Sequence, residues 1–166
     1  MVCPALFFSR KELRVLMKIA DLLDIKSIST ELTSSKKVAV LAEMVDLLRR
    51  VQSDLDAAEL LAVLIDREEL GSTGIGDGVA IPHGKLKGLD RLLMAFGRKK
   101  DGIDFDSMDN RPAHLFFLLL APESEATLHL KALARISKLL RKEDVRRQLL
   151  DAPDPATLLN ILSQED

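Results

Sequence analysis

The sequence predicts a single α/β domain in which helices cover a small β-sheet. A chain of 166 residues suits one compact domain with a substantial core. Apolar residues recur at helical spacing before residue 71 and again after residue 123. Between these regions, short apolar runs bounded by Gly, Pro and Asp are typical of strands. Because helical and extended segments interleave, we expect the helices to pack on the sheet.

Three helices are predicted in the first part of the chain. The first begins at the capping box Ser9-Arg10-Lys11-Glu12, and the second begins after Ser34 or Ser35. The third covers about 55–70 and ends at Gly71, since glycine commonly stops a helix. The inward positions of these helices, in order, are Leu13, Leu16, Ala20 and Leu23; Val38, Leu41, Val45 and Leu48; and Leu60, Leu61, Leu64 and Ile65.

The strands are predicted mainly in the middle of the chain. Residues 79–81, 92–97 and 114–120 have the apolar, punctuated pattern of strands, and a short extended segment is expected at 25–28. The run 115–120 is continuously apolar, as in a strand that is covered on both faces.

Three more helices are expected after the strands. One begins at Glu123 or Ser124 and ends near Arg141, and another covers 143–150. The last begins at Asp154-Pro155, with the proline at the first helical position.

Composition excludes several classes of function. The 24 basic and 26 acidic residues leave a formal charge of −2, and the chain lacks Trp and Tyr, so nucleic-acid binding is not expected. The single cysteine, Cys3, cannot form an intrachain disulfide and suits a reducing compartment. The apolar run 115–121 is too short to span a bilayer, and Met1–Phe8 lacks the pattern of a signal peptide. We therefore expect a cytoplasmic protein without direct membrane insertion.

The most informative segment is the glycine-rich stretch that ends in His83. This histidine lies between Pro82 and Gly84 and is followed by Lys85; four glycines precede it, Gly71, Gly74, Gly76 and Gly78. A neutral imidazole is a usable nucleophile near neutral pH, and glycine lets the backbone approach a ligand. The residues alone leave two interpretations open. His83 is displayed for chemistry beside an anion-binding loop, or it is a surface residue next to a turn.

Arg67 and His129 are further candidates. The planar guanidinium of Arg67 suits a phosphate, with Lys85 as a second cation, although the residues alone favour a solvated cation near a helix C-terminus. His129 lies in the first turns of its helix, where an anion is favoured, but also on an apolar stripe, which favours a core role. His114, at the start of the most apolar strand, is interpreted as structural. The stripe that contains His129 continues through Leu133, Ile136 and Leu140.

Three other site types have little support. The three histidines are widely spaced, and no His-x-x-x-His or Cys-x-x-Cys pair indicates zinc. A serine hydrolase would need a G-x-S-x-G elbow, and a nucleotide P-loop would need G-K-[ST] after its glycines. The sequence contains neither motif.

The segment R-E-E-L-G-S-T-G-I-G-D-G-V-A-I-P-H-G-K, residues 67–85, resembles the active-site signature of the type-2 enzyme IIA domains of the bacterial phosphoenolpyruvate-dependent sugar phosphotransferase system. This is the fructose/mannitol family, which includes nitrogen-regulatory IIA proteins. The similarity covers about 17–162, so residues 17–166 are predicted to form the IIA domain. Residues 1–16 are interpreted as an N-terminal extension that is either an added helix, part of the first one, or the product of a mis-assigned start. The similarity is carried further by 102–109, 112–117, 121–123 and 129–134.

The resemblance implies a mixed sheet flanked by helices on both faces, and it implies a phosphocarrier. His83 would accept a phosphoryl group from the phosphorylated histidine-containing phosphocarrier protein and pass it to a IIB domain. Arg67 matches the family's active-site arginine, and His129 matches its second histidine. The phosphate would be surrounded by Ser72, Thr73, Gly84 and Lys85, and neither a metal nor a small cofactor is required.

Two versions of this function remain open. The run 105–110 resembles the nitrogen-regulatory subtype, whereas 113–115 and 129–133 resemble the fructose subtype. In the first version, the chain would supply phosphate to the IIB component of a fructose/mannitol-type permease. Alternatively, phosphorylation of His83 would control binding to regulatory target proteins.

Overall fold

The computed structural model describes residues 18–166, which form six helices and six strands. The helices are α1 (Ile19–Leu22), α2 (Lys37–Arg49), α3 (Ala57–Glu69), α4 (Ala126–Leu140), α5 (Glu143–Asp151) and α6 (Pro155–Glu165). The strands are β1 (Leu23–Ser29), β2 (Gly74–Gly76), β3 (Val79–Ala80), β4 (His83–Leu86), β5 (Leu93–Ile103) and β6 (Ala113–Pro122).

The strands form one mixed sheet whose centre is β6. The order is β1-β5-β6-β3-β2, and β4 also pairs with β6. Strands β5 and β6 are antiparallel, whereas β3 and β4 both run parallel to β6. Since Val79 pairs with Leu115 and His83 pairs with Leu119, β3 and β4 follow each other along the same edge of β6. The predicted mixed α/β fold is confirmed.

Helices cover both faces of the sheet, as predicted. Alternate side chains of β6 point into two separate cores, because successive residues of a strand face opposite sides. Leu115, Phe117 and Leu119 belong to the core beneath α1, α4, α5 and α6. Phe116 and Leu118 belong to the core beneath α2 and α3. The buried run predicted for this strand is therefore correct.

Two helix starts agree with the sequence because their capping signals are local. The Asp56 carboxylate accepts a hydrogen bond from the Glu59 amide at 3.1 Å and so starts α3. At the start of α6, Asp154 accepts from the Thr157 amide at 2.7 Å, and Pro155 is the first helical residue.

Two other helix starts were predicted too early. α2 begins at Lys37 rather than after Ser34 or Ser35, because the residue at its N-cap is Lys36, whose side chain makes no capping hydrogen bond; the Ser34 amide is bound to the Glu43 carboxylate at 2.9 Å. α4 begins at Ala126 rather than at Glu123 or Ser124. Strand β6 extends to Pro122, and a turn must follow before the helix can start.

The prediction for the first helix is only partly testable. Its capping box at 9–12 and the extension at 1–16 lie outside the described residues. Within them, helix α1 is confined to Ile19–Leu22, and Leu23 is the first residue of β1 rather than part of a helical face. The extended segment expected at 25–28 is confirmed as part of β1.

Strands β2 and β4 were not predicted, and β5 is longer than expected. β2 reads Gly-Ile-Gly and β4 reads His-Gly-Lys-Leu, so Ile75 is the one β-branched residue in these two strands, and neither has the run of such residues that signals a strand. They are extended because β3 and β6 supply their hydrogen-bond partners. β5 continues from the predicted 92–97 to Ile103 through charged residues.

A buried arginine joins the sheet to the C-terminal helices. Arg98 of β5 is 3% exposed and donates from Nε to the Thr30 carbonyl at 2.9 Å. Its Nη1 donates to the carbonyls of Leu149 at 2.9 Å and Ala152 at 2.6 Å. These two carbonyls lie at the end of α5, where a helix leaves acceptors unsatisfied and favours a cation.

Replacing this arginine should be costly. Arg98→Met keeps the apolar stem but leaves three carbonyls without their donor, so we expect a loss of about 2–4 kcal/mol in the free energy of unfolding. Urea denaturation followed by circular dichroism measures the loss. Lys100→Met, an exposed change on the same strand, is the control and should cost little. Equal stability of the two variants would contradict the role of Arg98.

Candidate active site

His83 lies at the edge of the sheet, where two short strands meet. It is the first residue of β4, and Pro82 separates β4 from β3. Proline cannot donate to a ladder, but its carbonyl still accepts from the Leu119 amide at 3.0 Å, so the chain stays on the edge of β6. The half-buried imidazole therefore occupies a fixed position beside an interruption in the ladder.

Both nitrogens of the His83 ring have a partner. Nδ1 is 2.7 Å from the Ile81 carbonyl oxygen, and Arg67 Nε donates to Nε2 at 3.3 Å. A carbonyl can only accept and a guanidinium can only donate. In the neutral ring the proton is therefore on Nδ1, and Nε2 carries the lone pair.

Arg67 reaches His83 from the last turn of α3. Its Nη1 donates to the Gly71 carbonyl at 2.8 Å, which holds the guanidinium over the turn after the helix. The close approach of α3 to β4 requires a glycine at position 84, because a Cβ there would lie 2.5 Å from Cγ1 of Val63. Gly84 thus brings the helix that carries Arg67 against the strand that begins with His83.

His129 approaches the same ring from α4, on the other side of the sheet. Its side chain is only 4% exposed, and its ring centroid is 5.4 Å from that of His83 at an interplanar angle of 63°. Its buried Nε2 has no hydrogen-bond partner among the described residues. A buried polar atom without a partner is expensive in a folded protein, which makes this nitrogen a candidate for a hydrogen bond to a further group at the site.

The surroundings keep both rings neutral. Burial lowers the pKa of His83, and the nearby Arg67 guanidinium lowers it further, while the Ile81 carbonyl and the Glu68 carboxylate act in the opposite direction. Burial also lowers the pKa of His129 to about 4, with smaller effects of His83 and Lys85 in the same direction. At neutral pH the site thus combines two uncharged imidazoles with the positive charge of Arg67.

The structure brings together three of the predicted residues, His83, Arg67 and His129. The other four lie just before β2 and on β4. The hydroxyl of Ser72 donates to the Phe105 carbonyl at 2.7 Å, and that of Thr73 donates to the Glu68 carboxylate. Both hydroxyls are therefore engaged in holding the loop. Gly84 and Lys85 follow His83 on β4, and the Lys85 side chain is exposed.

Glu68 belongs to this site but was not singled out from the sequence. Its side chain is 6% exposed and pairs with Lys37 Nζ at 2.9 Å. Nothing local distinguishes Glu68 from its exposed neighbour Glu69. The only signal in the sequence is its position directly after Arg67.

The described residues hold neither a metal site nor a membrane span. Across residues 18–166, no three His, Cys, Asp or Glu side chains come together in a way that could hold a metal ion. None of the helices in this range combines the length and apolar character needed to traverse a bilayer.

Comparison with known proteins gives a match to one protein family. Residues 21–165 match the model of the family described as "Phosphoenolpyruvate-dependent sugar phosphotransferase system, EIIA 2". The crystal structure of nitrogen regulatory protein IIA-Ntr from Neisseria meningitidis is similar with a TM-score of 0.82 and 33% identity, over 87% of this chain and 98% of that one.

Two curated relatives are equally similar but carry different names. A "PTS system fructose-specific EIIABC component" from Bacillus subtilis is 41% identical over 150 residues, which is 90% of this chain. The match spans only 24% of that relative's length. A "Nitrogen regulatory protein" from Bradyrhizobium diazoefficiens is 41% identical over 147 residues, or 89% of this chain and 95% of the relative.

The low pKa of His129 predicts a specific dependence of stability on pH. Between about pH 6.5 and 4, the unfolded chain binds a proton at this residue and the folded chain does not, so stability falls as the pH falls. A shift of this size corresponds to at most about 3 kcal/mol. His129→Gln should lose less stability than the wild type over that range in urea titrations. Parallel pH profiles for the two proteins would contradict the burial of a neutral imidazole.

Proposed function

The chain belongs to the EIIA type 2 family of the phosphoenolpyruvate-dependent sugar phosphotransferase system, and we propose that it is a phosphocarrier whose cargo is bound covalently to His83. The observation that carries this proposal is the pair of hydrogen bonds on the His83 ring, which leaves the lone pair on Nε2. The donor is the phosphorylated histidine-containing phosphocarrier protein of the system.

The chemistry is a transfer of the phosphoryl group between two imidazoles. The Nε2 lone pair of His83 attacks phosphorus in line as the bond from phosphorus to the donor's ring nitrogen breaks, and that nitrogen keeps the electron pair. The His83 ring retains its Nδ1 proton and acquires a formal positive charge. The Ile81 carbonyl, 2.7 Å from Nδ1, stabilises that charge.

Arg67 and His129 act on the phosphoryl oxygens. In the unphosphorylated site, Arg67 donates to the lone pair that must attack, so it has to release Nε2 when the phosphoryl group arrives. The oxygens of that group are better acceptors for its planar fork than a neutral nitrogen. His129, whose Nε2 lacks a partner among the described residues, donates a hydrogen bond to a third oxygen. Transfer of this kind depends mainly on positioning and charge stabilisation.

Two kinds of partner fit the phosphorylated chain. The first is a IIB domain of a fructose/mannitol-type permease, supported by 41% identity to a fructose-specific EIIABC component. The second is a regulatory target protein, which does not take the phosphoryl group but binds this chain according to its phosphorylation state. This candidate is supported by 41% identity to one nitrogen regulatory protein and by the TM-score of 0.82 to another. We also propose a cytoplasmic location, since the chain's single cysteine suits a reducing compartment.

The two kinds of partner can be distinguished in one assay. Labelled protein is mixed with a purified fructose-type IIB domain, and the label on each protein is followed with time. Rapid transfer to IIB supports the transport function. Retention of the label by this chain, with binding partners that differ between its labelled and unlabelled forms, supports regulation.

His83→Ala should abolish phosphorylation. With phosphoenolpyruvate, enzyme I and the carrier protein present, wild-type protein should acquire acid-labile phosphate, and mapping should place it on His83. The variant lacks the attacking nitrogen, so no label above background is expected. His114→Ala removes a half-buried histidine outside the site and should still be labelled. Labelling of His83→Ala would place the phosphorylated residue elsewhere.

Arg67→Lys should slow labelling while it preserves charge. Lysine lacks the planar fork that reaches Nε2 and the Gly71 carbonyl with two separate nitrogens, so we expect a decrease on the order of tenfold or more in the single-turnover rate. Arg91→Lys, the same exchange at an exposed position, is the control. An unchanged rate in Arg67→Lys would rule out the proposed contact.

A further inference from the structure

The turn that joins α3 to β2 is closed by the side chain of Glu68. Both carboxylate oxygens accept from the Thr73 amide at 3.2 Å, and the Thr73 hydroxyl donates to the same carboxylate. The Gly71 amide donates to the Glu68 carbonyl at 3.1 Å. Residues 68–73 therefore form a compact loop with a nearly buried carboxylate inside it.

This loop is connected to both nitrogens of the His83 ring. On one side, it presents the Gly71 carbonyl, which accepts from Arg67 Nη1 at 2.8 Å, and Arg67 Nε donates to His83 Nε2. On the other side, the Thr73 carbonyl accepts from the Ile81 amide at 2.9 Å. The carbonyl of Ile81 in turn is 2.7 Å from His83 Nδ1.

The carboxylate is itself fixed by a cation from another helix. Lys37, at the start of α2, lies 2.9 Å from Glu68 and 3.4 Å from Asp106, and its ammonium group is 4.8 Å from the centre of the Phe105 ring. A nearly buried carboxylate without such a partner would be costly to the folded protein. Removal of its charge would therefore weaken the anchor of the whole loop.

We propose that Glu68 is a positioning residue for phosphoryl transfer. By closing the 68–73 turn it holds Arg67 on Nε2 of His83 and the Ile81 carbonyl on Nδ1. This inference rests on the proposed function of His83, which it deepens. Glu68 does not contact the phosphoryl group; it selects the tautomer and the orientation of the ring that does. Its negative charge also raises the pKa of His83, against the stronger effect of burial.

The test compares two adjacent glutamates with the same substitution. Glu68→Gln keeps the size of the side chain and one oxygen acceptor but loses the charge that pairs with Lys37. Glu69→Gln, at the exposed end of the same helix, is the matched control. Each purified variant is first compared with the wild type by circular dichroism and urea denaturation, so that loss of folding is recognised.

Two measurements are then made on each protein. The first is the single-turnover rate of labelling over a range of concentrations of phosphorylated carrier protein. Misplacement of the ring should lower the limiting rate of Glu68→Gln roughly tenfold to a hundredfold, with little change in the concentration for half-maximal rate. The second is NMR of ¹⁵N-labelled histidine without any phosphoryl donor. His83 should be mostly Nδ1-protonated in the wild type and Glu69→Gln, and a mixture of tautomers with a lower pKa in Glu68→Gln.

The outcomes separate this inference from the proposed function. If the wild-type protein accepts no label, the proposed function is refuted. The tautomer measurement still tests whether Glu68 determines the tautomer of His83. A labelled Glu68→Gln with a wild-type rate, tautomer and pKa would overturn the inference and leave the function standing. Should Glu68→Gln fail to fold, Thr73→Val removes the hydroxyl contact alone and Thr73→Ser retains it. A tautomer change in Thr73→Val but not in Thr73→Ser supports the inference, and an unchanged tautomer in Thr73→Val contradicts it.

Discussion

The two nitrogens of His83 are held by hydrogen bonds of opposite direction, and the candidate site depends on this constraint. The Ile81 carbonyl can only accept, and the Arg67 guanidinium can only donate. A histidine that lacked either partner could exchange tautomers or rotate about its side-chain bonds. With both partners present, one nitrogen carries the proton, and the other presents its lone pair beside a fixed positive charge.

The edge of the sheet is what allows this arrangement. The core beneath α3 and the core beneath α4 lie on opposite faces, so side chains of these helices can meet only where the sheet ends. Strand β4 pairs with β6 on one side, and its first residue is His83. Arg67 therefore arrives from one layer and His129 from the other. The absence of a side chain at Gly84 lets α3 come close enough to complete the contact.

Sequence reasoning succeeded where the physical signal is local. The cap at Asp154 and the apolar run of β6 identify their elements without knowledge of distant residues. Strands β2 and β4 were missed because their extended form depends on partners elsewhere in the chain. The same limit applies inside the site.

His83 stands out in its own segment, but its neighbours do not stand out in theirs. Its proximity to Arg67 and His129 followed only from the family resemblance, since no periodicity connects residues 46 positions apart. The burial of Glu68 is determined by Lys37, which lies 31 residues earlier, and by the loop that ends at Thr73. Contacts of this kind become visible only when the chain has folded.

A carrier must bind its cargo and also release it, and the lowered pKa of His83 serves the second requirement. Burial and Arg67 reduce the basicity of the ring, which weakens it as a nucleophile and improves it as a leaving group. The Ile81 carbonyl and Glu68 act against this effect and restore part of the basicity. In the proposed transfer, the positive charge of Arg67 would stabilise the phosphoryl group both as it arrives at His83 and as it leaves, which would lower the barrier without trapping the phosphorylated form. In the proposed carrier, these opposed effects on the basicity of one imidazole would favour both acceptance and donation of the phosphoryl group.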